Sequence, residues 1–438
     1  MRSAPRWRST TALLLPVVWA ACAPARTTLP PEPTPAPAPV PPVVEAPAPA
    51  VPAAPTVRVG LLVDTTEVEL TSSAGFALVD AGTGAVLGRA GAGDRWRALP
   101  GSGGGVRVSG DGFVGGSRGA VLVRPEEGGT VSAGGVAYRG AMLLQPTPRG
   151  RLTAVNVLDM ETYLLGVVPR EIGRVGPELL EAAKAQAVAA RTYAVRYLGR
   201  REALGFDVFA TTQDQVYGGV PAEHEPVSRA VRATAGEVLT YAGEPIEAFY
   251  HSTCAGHTAA IEEVWNEAPR PYLKSVVDVN PRTGIAYDSV SSRFRWTERW
   301  PAAALASTLS RTLADSLPRG VRSIGEIRDM RVTQRTPSGR VRALRITTSE
   351  AGTLTVGGDR IRWILPTAAG APLNSSRFDV ELVRDTGGRV AEVVAAGGGW
   401  GHGIGMCQVG AMGRARDGQD YRTILRTYYG GTEIRKLY

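Results

Sequence analysis

The glutamate at position 171 is the residue whose setting points most directly to chemistry. Glu171 ends an apolar segment, residues 158–171, and precedes an alanine-rich helical pattern, residues 178–197, that carries Lys184 and Arg191. Apolar surroundings raise the pKa of a carboxyl group, and a carboxyl that is still protonated near neutral pH can act as a general acid. The pattern therefore predicts an acid catalyst with cationic neighbours. A glutamate that caps a helix or forms a salt bridge is the alternative interpretation.

A second group of reactive side chains follows at three-residue steps, with His251, Cys254 and His257. Histidine and cysteine are ligands of zinc, and a structural zinc site normally has four ligands from the protein. The residues available to complete such a set are Cys407, Glu262 and Glu263. A metal site is therefore one prediction for this part of the chain.

A glycine-rich segment, residues 398–411, contains Gly399-Trp-Gly-His-Gly-Ile-Gly405. It does not fit the strand–loop–helix fingerprint of a nucleotide site with an acidic residue about 20 positions later, so a nucleotide is not expected. The glycines would allow the backbone to approach a ligand closely. A tight turn in which Trp400 belongs to the core is the other interpretation.

Glycine and proline divide the chain into the elements that would position these groups. Residues 57–155 alternate short β-type runs with glycine-rich turns, which predicts a β-rich module. Residues 156–438 would form the core, with a β-rich insertion at about 290–393 and a helix that opens at Gly176-Pro177-Glu178. Further helices are expected at residues 301–317, 408–417 and 421–429. The predicted fold class is α+β, with β-rich modules around an alanine-rich helical core.

The N-terminal segment predicts export. Arginines precede an apolar run, residues 13–21, that is too short to span a bilayer. Trp19-Ala-Ala-Cys22 resembles a bacterial lipobox, so residues 1–22 are interpreted as a signal peptide with lipidation at Cys22. Ordinary cleavage in the same region is the alternative. In an oxidising compartment a disulfide between Cys254 and Cys407 competes with the metal site and with free thiols.

Residues 23–56 consist almost entirely of proline, alanine, valine, threonine and glutamate, which predicts an extended, disordered tether. The expected location is therefore the periplasm or cell envelope, with a lipid anchor in a membrane. The formal net charge of +8 suggests an anionic partner. Nucleic acid is not expected, because no lysine- or arginine-rich block with interleaved aromatic residues occurs.

Three segments together resemble one family: Val168-Pro-Arg-Glu171 with its helix, Tyr250 to His257, and the glycine-rich segment. The chain resembles the sporulation stage II protein D family, also described as the LytB amidase-enhancer family. The likeness extends over about residues 57–438 and includes Leu373-Asn-Ser-Ser-Arg-Phe378.

The resemblance implies a peptidoglycan lytic transglycosylase that cleaves the linkage between N-acetylmuramic acid and N-acetylglucosamine and leaves 1,6-anhydro ends. The family's catalytic glutamate falls on Glu171, and its important lysine and arginine fall on Lys184 and Arg191. Such an enzyme needs one carboxyl, whereas hydrolytic glycosidases need two. The family also prefers glycan strands without stem peptides. No cofactor would be required.

The resemblance also suggests roles for the other two segments. Some members bind zinc through histidine and cysteine ligands, beginning at the position of His251, but the rest of their ligand pattern does not map onto this sequence. A structural zinc held by His251, Cys254, His257 and Cys407 is therefore one prediction, and the disulfide between Cys254 and Cys407 is the competing one. Trp400 would stack on a sugar, with His402, Gln408 and His251 as further contacts. Two rival functions remain: a wall-binding protein that stimulates an amidase without catalysis, and a zinc hydrolase acting on stem peptides. The second lacks a His-Glu-x-x-His helix.

Overall fold

The computed structural model describes residues 53–110, 113–117 and 119–438. The predicted signal peptide, the lipidation site Cys22 and residues 23–52 of the predicted tether lie outside these ranges. Within the described ranges, no helix is both long and apolar enough to cross a membrane.

The first part of the chain is built from β-strands with alternating buried and exposed side chains. Val57 and Val59 of the first strand and Val68 and Leu70 of the second all point into one core. The strands are β1 (Thr56–Thr65), β2 (Val68–Ser72), β3 (Phe76–Asp80), β4 (Val86–Ala90), β5 (Trp96–Pro100), β6 (Val106–Gly110), β7 (Phe113–Ser117), β8 (Val121–Pro125), β9 (Val131–Ala133), β10 (Val136–Tyr138), β11 (Ala141–Pro146) and β12 (Leu152–Asp159).

The segment that carries Glu171 is itself a helix, α1 (Met160–Glu171), which follows β12 directly. The Asp159 side chain caps its N-terminus by accepting a hydrogen bond of 3.0 Å from the N–H of Thr162. Pro169 lies in the last turn, and Glu171 is the last helical residue. The Glu171 carboxyl group therefore projects from the C-terminal end of α1, a helix most of whose residues are buried.

The predicted alanine-rich helix is present as α2 (Leu180–Tyr197), preceded by a 3₁₀ turn at Pro177–Leu179. Its small buried side chains let other helices approach closely. The elements that follow it are β13 (Val208–Phe209), α3 (Glu225–Ala233), β14 (Glu237–Tyr241), β15 (Glu244–Pro245), β16 (Tyr250–His251) and α4 (Ile261–Val264).

A second hydrophobic core lies within residues 296–395. Trp296, Leu305, Leu344 and Phe378 are buried in it. Its elements are β17 (Trp296–Pro301), α5 (Ala302–Thr312), β18 (Ile327–Arg335), β19 (Val341–Thr348), β20 (Thr353–Gly357), α6 (Arg360–Ile364), β21 (Phe378–Arg384) and β22 (Val390–Gly397). The chain then returns to the first core through β23 (Met406–Cys407), α7 (Gln408–Arg416), α8 (Tyr421–Tyr428) and β24 (Glu433–Lys436).

Within the described residues the strands pair in six sheets, and the predicted α+β fold is confirmed. The two larger sheets have the orders β13-β1-β12-β11-β8-β3-β4 and β10-β9-β2-β5-β6-β7. The smaller ones are β15-β14-β24, β16-β23, β17-β22-β21 and β18-β19-β20. Helix α2 contacts α1, α3, α7 and α8. The parallel pair β16-β23 places His251 opposite Cys407, which joins the histidine segment to the glycine-rich segment.

Candidate active site

Glu171 lies in a crowded position that keeps part of its side chain accessible. Its Oε1 accepts a hydrogen bond of 2.7 Å from the backbone N–H of Val216. Desolvation raises the pKa of Glu171 from 4.5 to about 7, although the Val216 N–H, the nearby amide of Gln408 and the charge of Arg170 act in the opposite direction. Near neutral pH this carboxyl can therefore both donate and accept a proton.

A buried network of hydroxyl and amide groups surrounds this carboxyl. The Tyr163 hydroxyl donates to Gln215 Oε1 at 3.1 Å, and Gln215 Nε2 donates to the Tyr250 hydroxyl oxygen at 3.0 Å. Burial and then the charge of Glu171 raise the pKa of both tyrosines well above 10. The tyrosines therefore stay neutral and limit the hydration of the Glu171 carboxylate.

The two basic residues of α2 that the sequence analysis selected, Lys184 and Arg191, have partners other than Glu171. Arg191 is fully buried and makes two hydrogen bonds of 2.7 Å with the carboxylate of Glu161. Lys184 Nζ lies 2.7 Å from Glu181 Oε1 and 5.6 Å from the centre of the Tyr421 ring. These contacts join α2 to α1 and to the start of α8.

The structure brings His251, Cys254 and Cys407 together, with one ligand atom from each within 4.8 Å of the others. In place of the disulfide considered above, both thiols are free. Cys254 Sγ lies 3.5 Å from Asp278 Oδ2, and Cys407 Sγ accepts a hydrogen bond from the N–H of Gly410 at the start of α7. Each thiol thus has its own polar partner.

The donor set of this group fits a metal ion. His251 Nδ1 lies 3.2 Å from the carbonyl oxygen of Ile404, whereas its buried Nε2 has no hydrogen-bond partner among the described residues. Burial lowers the pKa of His251 well below 6.5, so the ring is neutral, as a ligand must be. Burial also raises the pKa of both cysteine thiols, which a bound cation would oppose.

The other proposed ligands lie outside this group. His257 pairs with Val277 in an isolated bridge and is not among the three clustered side chains. The chain turns at Ala255 and Gly256, both with positive φ, between Cys254 and His257. Glu263 accepts hydrogen bonds from the backbone and hydroxyl of Ser338.

Two aspartates that the sequence analysis did not select hold the histidine segment in place. Asp288 accepts hydrogen bonds of 2.6–3.0 Å from three successive N–H groups, those of residues 254–256. Asp278 accepts from the Tyr428 hydroxyl at 2.8 Å and forms an ion pair of 2.8 Å with Arg414. These contacts fix the loop after β16 against α7 and α8.

The glycine-rich segment separates an exposed ring from buried polar groups. The Trp400 side chain keeps 48% of its surface exposed. His402 Nε2 lies 2.9 Å from the carbonyl oxygen of Tyr250, and burial lowers the pKa of His402 to about 4. Gln408 is buried between Glu171 and Gln186. Of the residues predicted to touch a sugar, Trp400 therefore offers the largest free surface, and His251 and Gln408 the least.

Comparison with known proteins places the chain in a family. A family model described as stage II sporulation protein matches residues 148–241, which include Glu171. The chain is 31% identical over 296 residues to stage II sporulation protein D of Bacillus subtilis, an alignment that covers 64% of this chain and 76% of that protein. The chain therefore belongs to the stage II sporulation protein D family, which confirms the resemblance seen in the sequence.

Two other relatives show how far the similarity extends. An uncharacterized protein of Brachyspira hyodysenteriae is 33% identical over 286 residues, covering 65% of this chain and 68% of that protein. A Bacillus subtilis protein named amidase enhancer is 32% identical over 302 residues, covering 62% of this chain and 40% of that protein. Residues 283–405 match a separate family model described as a domain of unknown function.

Proposed function

We propose that the protein is a peptidoglycan lytic transglycosylase that uses Glu171 as its catalytic acid. The observation that carries the proposal is a partly accessible carboxyl group with a pKa of about 7. A general acid works best when its pKa lies near the operating pH. Among the described residues, the groups that most affect this pKa are Val216, Gln408 and Arg170, and none of them is a second carboxylate.

In the proposed reaction Glu171 donates its proton to the glycosidic oxygen as the bond to C1 of N-acetylmuramic acid breaks. The C6 hydroxyl of the same sugar forms a new bond to C1, and the Glu171 carboxylate takes up the hydroxyl proton. One bond breaks, one forms, no water is consumed, and Glu171 ends protonated. A hydrolytic glycosidase would need a second carboxyl to act as base or nucleophile.

The surrounding residues support this use of one carboxyl. The Val216 N–H fixes the orientation of Glu171, and the neutral tyrosines at positions 163 and 250 keep its surroundings poorly solvated. Lys184 and Arg191 would contribute by holding α2 against its neighbouring helices. If zinc is bound, His251, Cys254 and Cys407 would hold it, and it would tie the loop after β16 to the start of α7.

The relative named amidase enhancer favours a second function, in which the protein binds the wall and stimulates an amidase. In that case Glu171 would be dispensable. Both functions require export, for which the predicted signal peptide and the lipid anchor at Cys22 would serve. An anchor of this kind would hold the protein in the cell envelope, beside the wall.

Mass spectrometry of glycan strands, with and without stem peptides, tests the proposal after incubation with the full chain. The parent and Glu178→Gln, which changes an exposed glutamate near the start of α2, should both produce 1,6-anhydro-muramic ends. Glu171→Gln should produce none above background. If Glu171→Gln cuts as well as the parent, Glu171 is not the acid; if no protein cuts and Glu171→Gln still stimulates an amidase, the second function is correct.

A further inference from the structure

A cleft of about 660 Å³ opens beside Gly397 and Gly398, where β22 leads into the glycine-rich segment. Three arginine side chains line it, Arg295, Arg335 and Arg377, and we call it the arginine cleft. Trp296 and Phe378, two buried residues whose ring centres lie 6.1 Å apart, also belong to its lining. A Cβ atom at Gly398 would lie 2.6 Å from the carbonyl oxygen of Phe294, so a side chain there has no room.

The arginine cleft carries excess positive charge. Among the described residues, Arg295 and Arg377 have no carboxylate within ion-pair distance, and Arg335 pairs with Asp379, whose side chain is 87% exposed. Among the residues that line the cleft, three guanidinium groups therefore accompany one carboxylate, and positive charge is in excess. The cleft therefore favours an anionic ligand.

The arginines are held in position by contacts that leave donors free. Arg377 Nη1 donates to the carbonyl oxygen of Ala255 at 2.6 Å. Arg295 Nη1 donates to the carbonyl oxygen of Phe294 at 2.8 Å, and its guanidinium stacks 4.2 Å from the centre of the Phe294 ring. A guanidinium has five N–H donors, so each group retains several for a ligand. The planar fork of these donors matches a carboxylate.

The same glycine-rich segment connects this cleft to Glu171. It lines the cleft at Gly398, presents the exposed Trp400 ring two residues later, and reaches Gln408 beside Glu171. The Arg293 guanidinium lies 5.5 Å from the centre of the Trp400 ring and adds a further charge. Trp400, with Arg293 beside it, thus follows the cleft on the exposed part of the segment, whereas residues 403–408, through which the segment reaches Glu171, are buried.

We propose that the arginine cleft binds a carboxylate carried by the glycan strand, and so acts as an anionic subsite for the polymer that Glu171 cleaves. The inference rests on the proposed function. Two carboxylates on peptidoglycan have this chemistry, the lactyl group of muramic acid in strands without stem peptides and the acidic groups of the stem peptides. Binding assays can separate these sources.

The test measures strand binding by the full chain with Glu171→Gln in every protein, so that no strand is cut. The ligands are strands without stem peptides, the same strands with their carboxylates converted to amides, and strands with stem peptides. Arg295→Gln and Arg377→Gln are each added to this background. The matched control is Arg299→Gln, an exposed arginine on β17 that already pairs with Glu392 at 2.8 Å.

Arg295→Gln and Arg377→Gln should each weaken binding of the carboxylate-bearing strands about tenfold, and Arg299→Gln should not. Strands whose carboxylates are converted to amides should bind weakly to the protein that carries Glu171→Gln alone. Adding Arg295→Gln or Arg377→Gln should not weaken this binding further. The effect should shrink at high salt. A loss limited to strands without stem peptides assigns the lactyl carboxylate, and a loss limited to strands with stem peptides assigns the peptide carboxylates.

Equal binding of free and amide-blocked strands by the background protein would overturn the anionic subsite, as would unchanged binding in Arg295→Gln. Because Arg295 contacts only Phe294 among the described hydrogen bonds and ring contacts, this variant remains informative if Arg377→Gln fails to fold. Neither result would affect the proposed function, which depends on 1,6-anhydro ends formed by proteins with Glu171 intact. Conversely, carboxylate-dependent binding, together with no cleavage by proteins that keep Glu171, would support the anionic subsite and reject the proposed transglycosylase activity.

Discussion

Two arginine side chains are fully buried in different parts of the molecule. Arg191 lies in the helical region, where α2 packs against α1, α3, α7 and α8. Arg340 lies where the second core meets the glycine-rich segment. Arg191 donates to both carboxylate oxygens of Glu161 and to the backbone carbonyls of Val231 and Glu237. None of the three guanidinium nitrogens of Arg340 has a hydrogen-bond partner among the described residues. The fold by itself satisfies the first arginine and leaves the second unsatisfied.

Several unpartnered groups lie in the region of Arg340, although Gln186 Nε2 on α2 is also buried without a partner among the described residues. His251 Nε2 and Asn374 Nδ2 are also buried without a partner among the described residues. The Arg340 guanidinium packs so closely on Gly403 that a Cβ there would meet Nη2 at 1.9 Å. Buried polar groups are normally paired, and exceptions call for a functional explanation. The comparison indicates that Arg191 ties the helical region together through paired polar groups, whereas Arg340 lies among buried polar groups that lack partners within the described residues.

The largest expected effect is on the stability of the helical region. Arg191→Met should lower the free energy of unfolding by about 3–5 kcal/mol, because it leaves the Glu161 carboxylate without its buried cation. Arg340→Met should be neutral or stabilising, since it removes a buried charge that has no carboxylate partner among the described residues. Chemical denaturation measures both variants. Equal losses would show that the two arginines do not differ as the comparison requires.

The next effect is the pH dependence of stability at Glu171. Its folded pKa of about 7 exceeds the ordinary 4.5, so the folded protein holds the proton more tightly and the parent loses stability as pH rises between these values. Glu171→Gln should therefore be more stable than the parent at pH 8, by at most about 3 kcal/mol, and equally stable near pH 4. The control Glu178→Gln should show no such change in relative stability between pH 4 and pH 8. Thermal unfolding at the two pH values tests the sign.

A smaller effect concerns the alkaline limb of the pH–activity profile, which should have an apparent pKa of about 7. The Gln408 amide stabilises the ionised form of Glu171, so Gln408→Leu should move this limb upward by up to about one pH unit. The exposed Gln213→Leu provides the control. A downward movement, or none, would mean that Gln408 does not favour the carboxylate.

Local sequence patterns predicted several elements of this fold because their signals lie within a few residues. The alanine spacing predicted α2, the expected helix at residues 408–417 is α7 (Gln408–Arg416), and that at residues 421–429 is α8 (Tyr421–Tyr428). The helix expected at residues 301–317 is shorter, with α5 ending at Thr312. Helix α1 was not predicted, although Asp159 provides a capping signal and Pro169 is tolerated because it falls in the last turn.

The environment of Glu171 could be predicted only in part. The apolar setting inferred from its sequence neighbours agrees with the elevated pKa, but the groups that hold the carboxyl come from distant positions. The Val216 N–H is 45 residues away, and Gln408 belongs to a helix near the C-terminus. Likewise, the contact between Arg191 and Glu161 follows from the packing of α2 on α1. Of these contacts, spacing within one segment encodes only that between Lys184 and Glu181, three residues apart on α2.

The smallest expected effect is at Lys184, where the family resemblance and the contacts suggest different roles. Its partner Glu181 lies three residues earlier on the same helix, and both side chains are partly exposed. Pairs of this kind contribute less than about 1 kcal/mol, so Lys184→Met should have little effect on the free energy of unfolding and should leave the pH–activity profile unchanged. Glu181→Gln provides the matched comparison, because it removes the other charge of the pair while its amide oxygen can still accept the hydrogen bond from the N–H of Tyr421. If Lys184→Met alone abolishes 1,6-anhydro products while the protein stays folded, the lysine must reach the substrate, and the helical region would be catalytic as well as supporting.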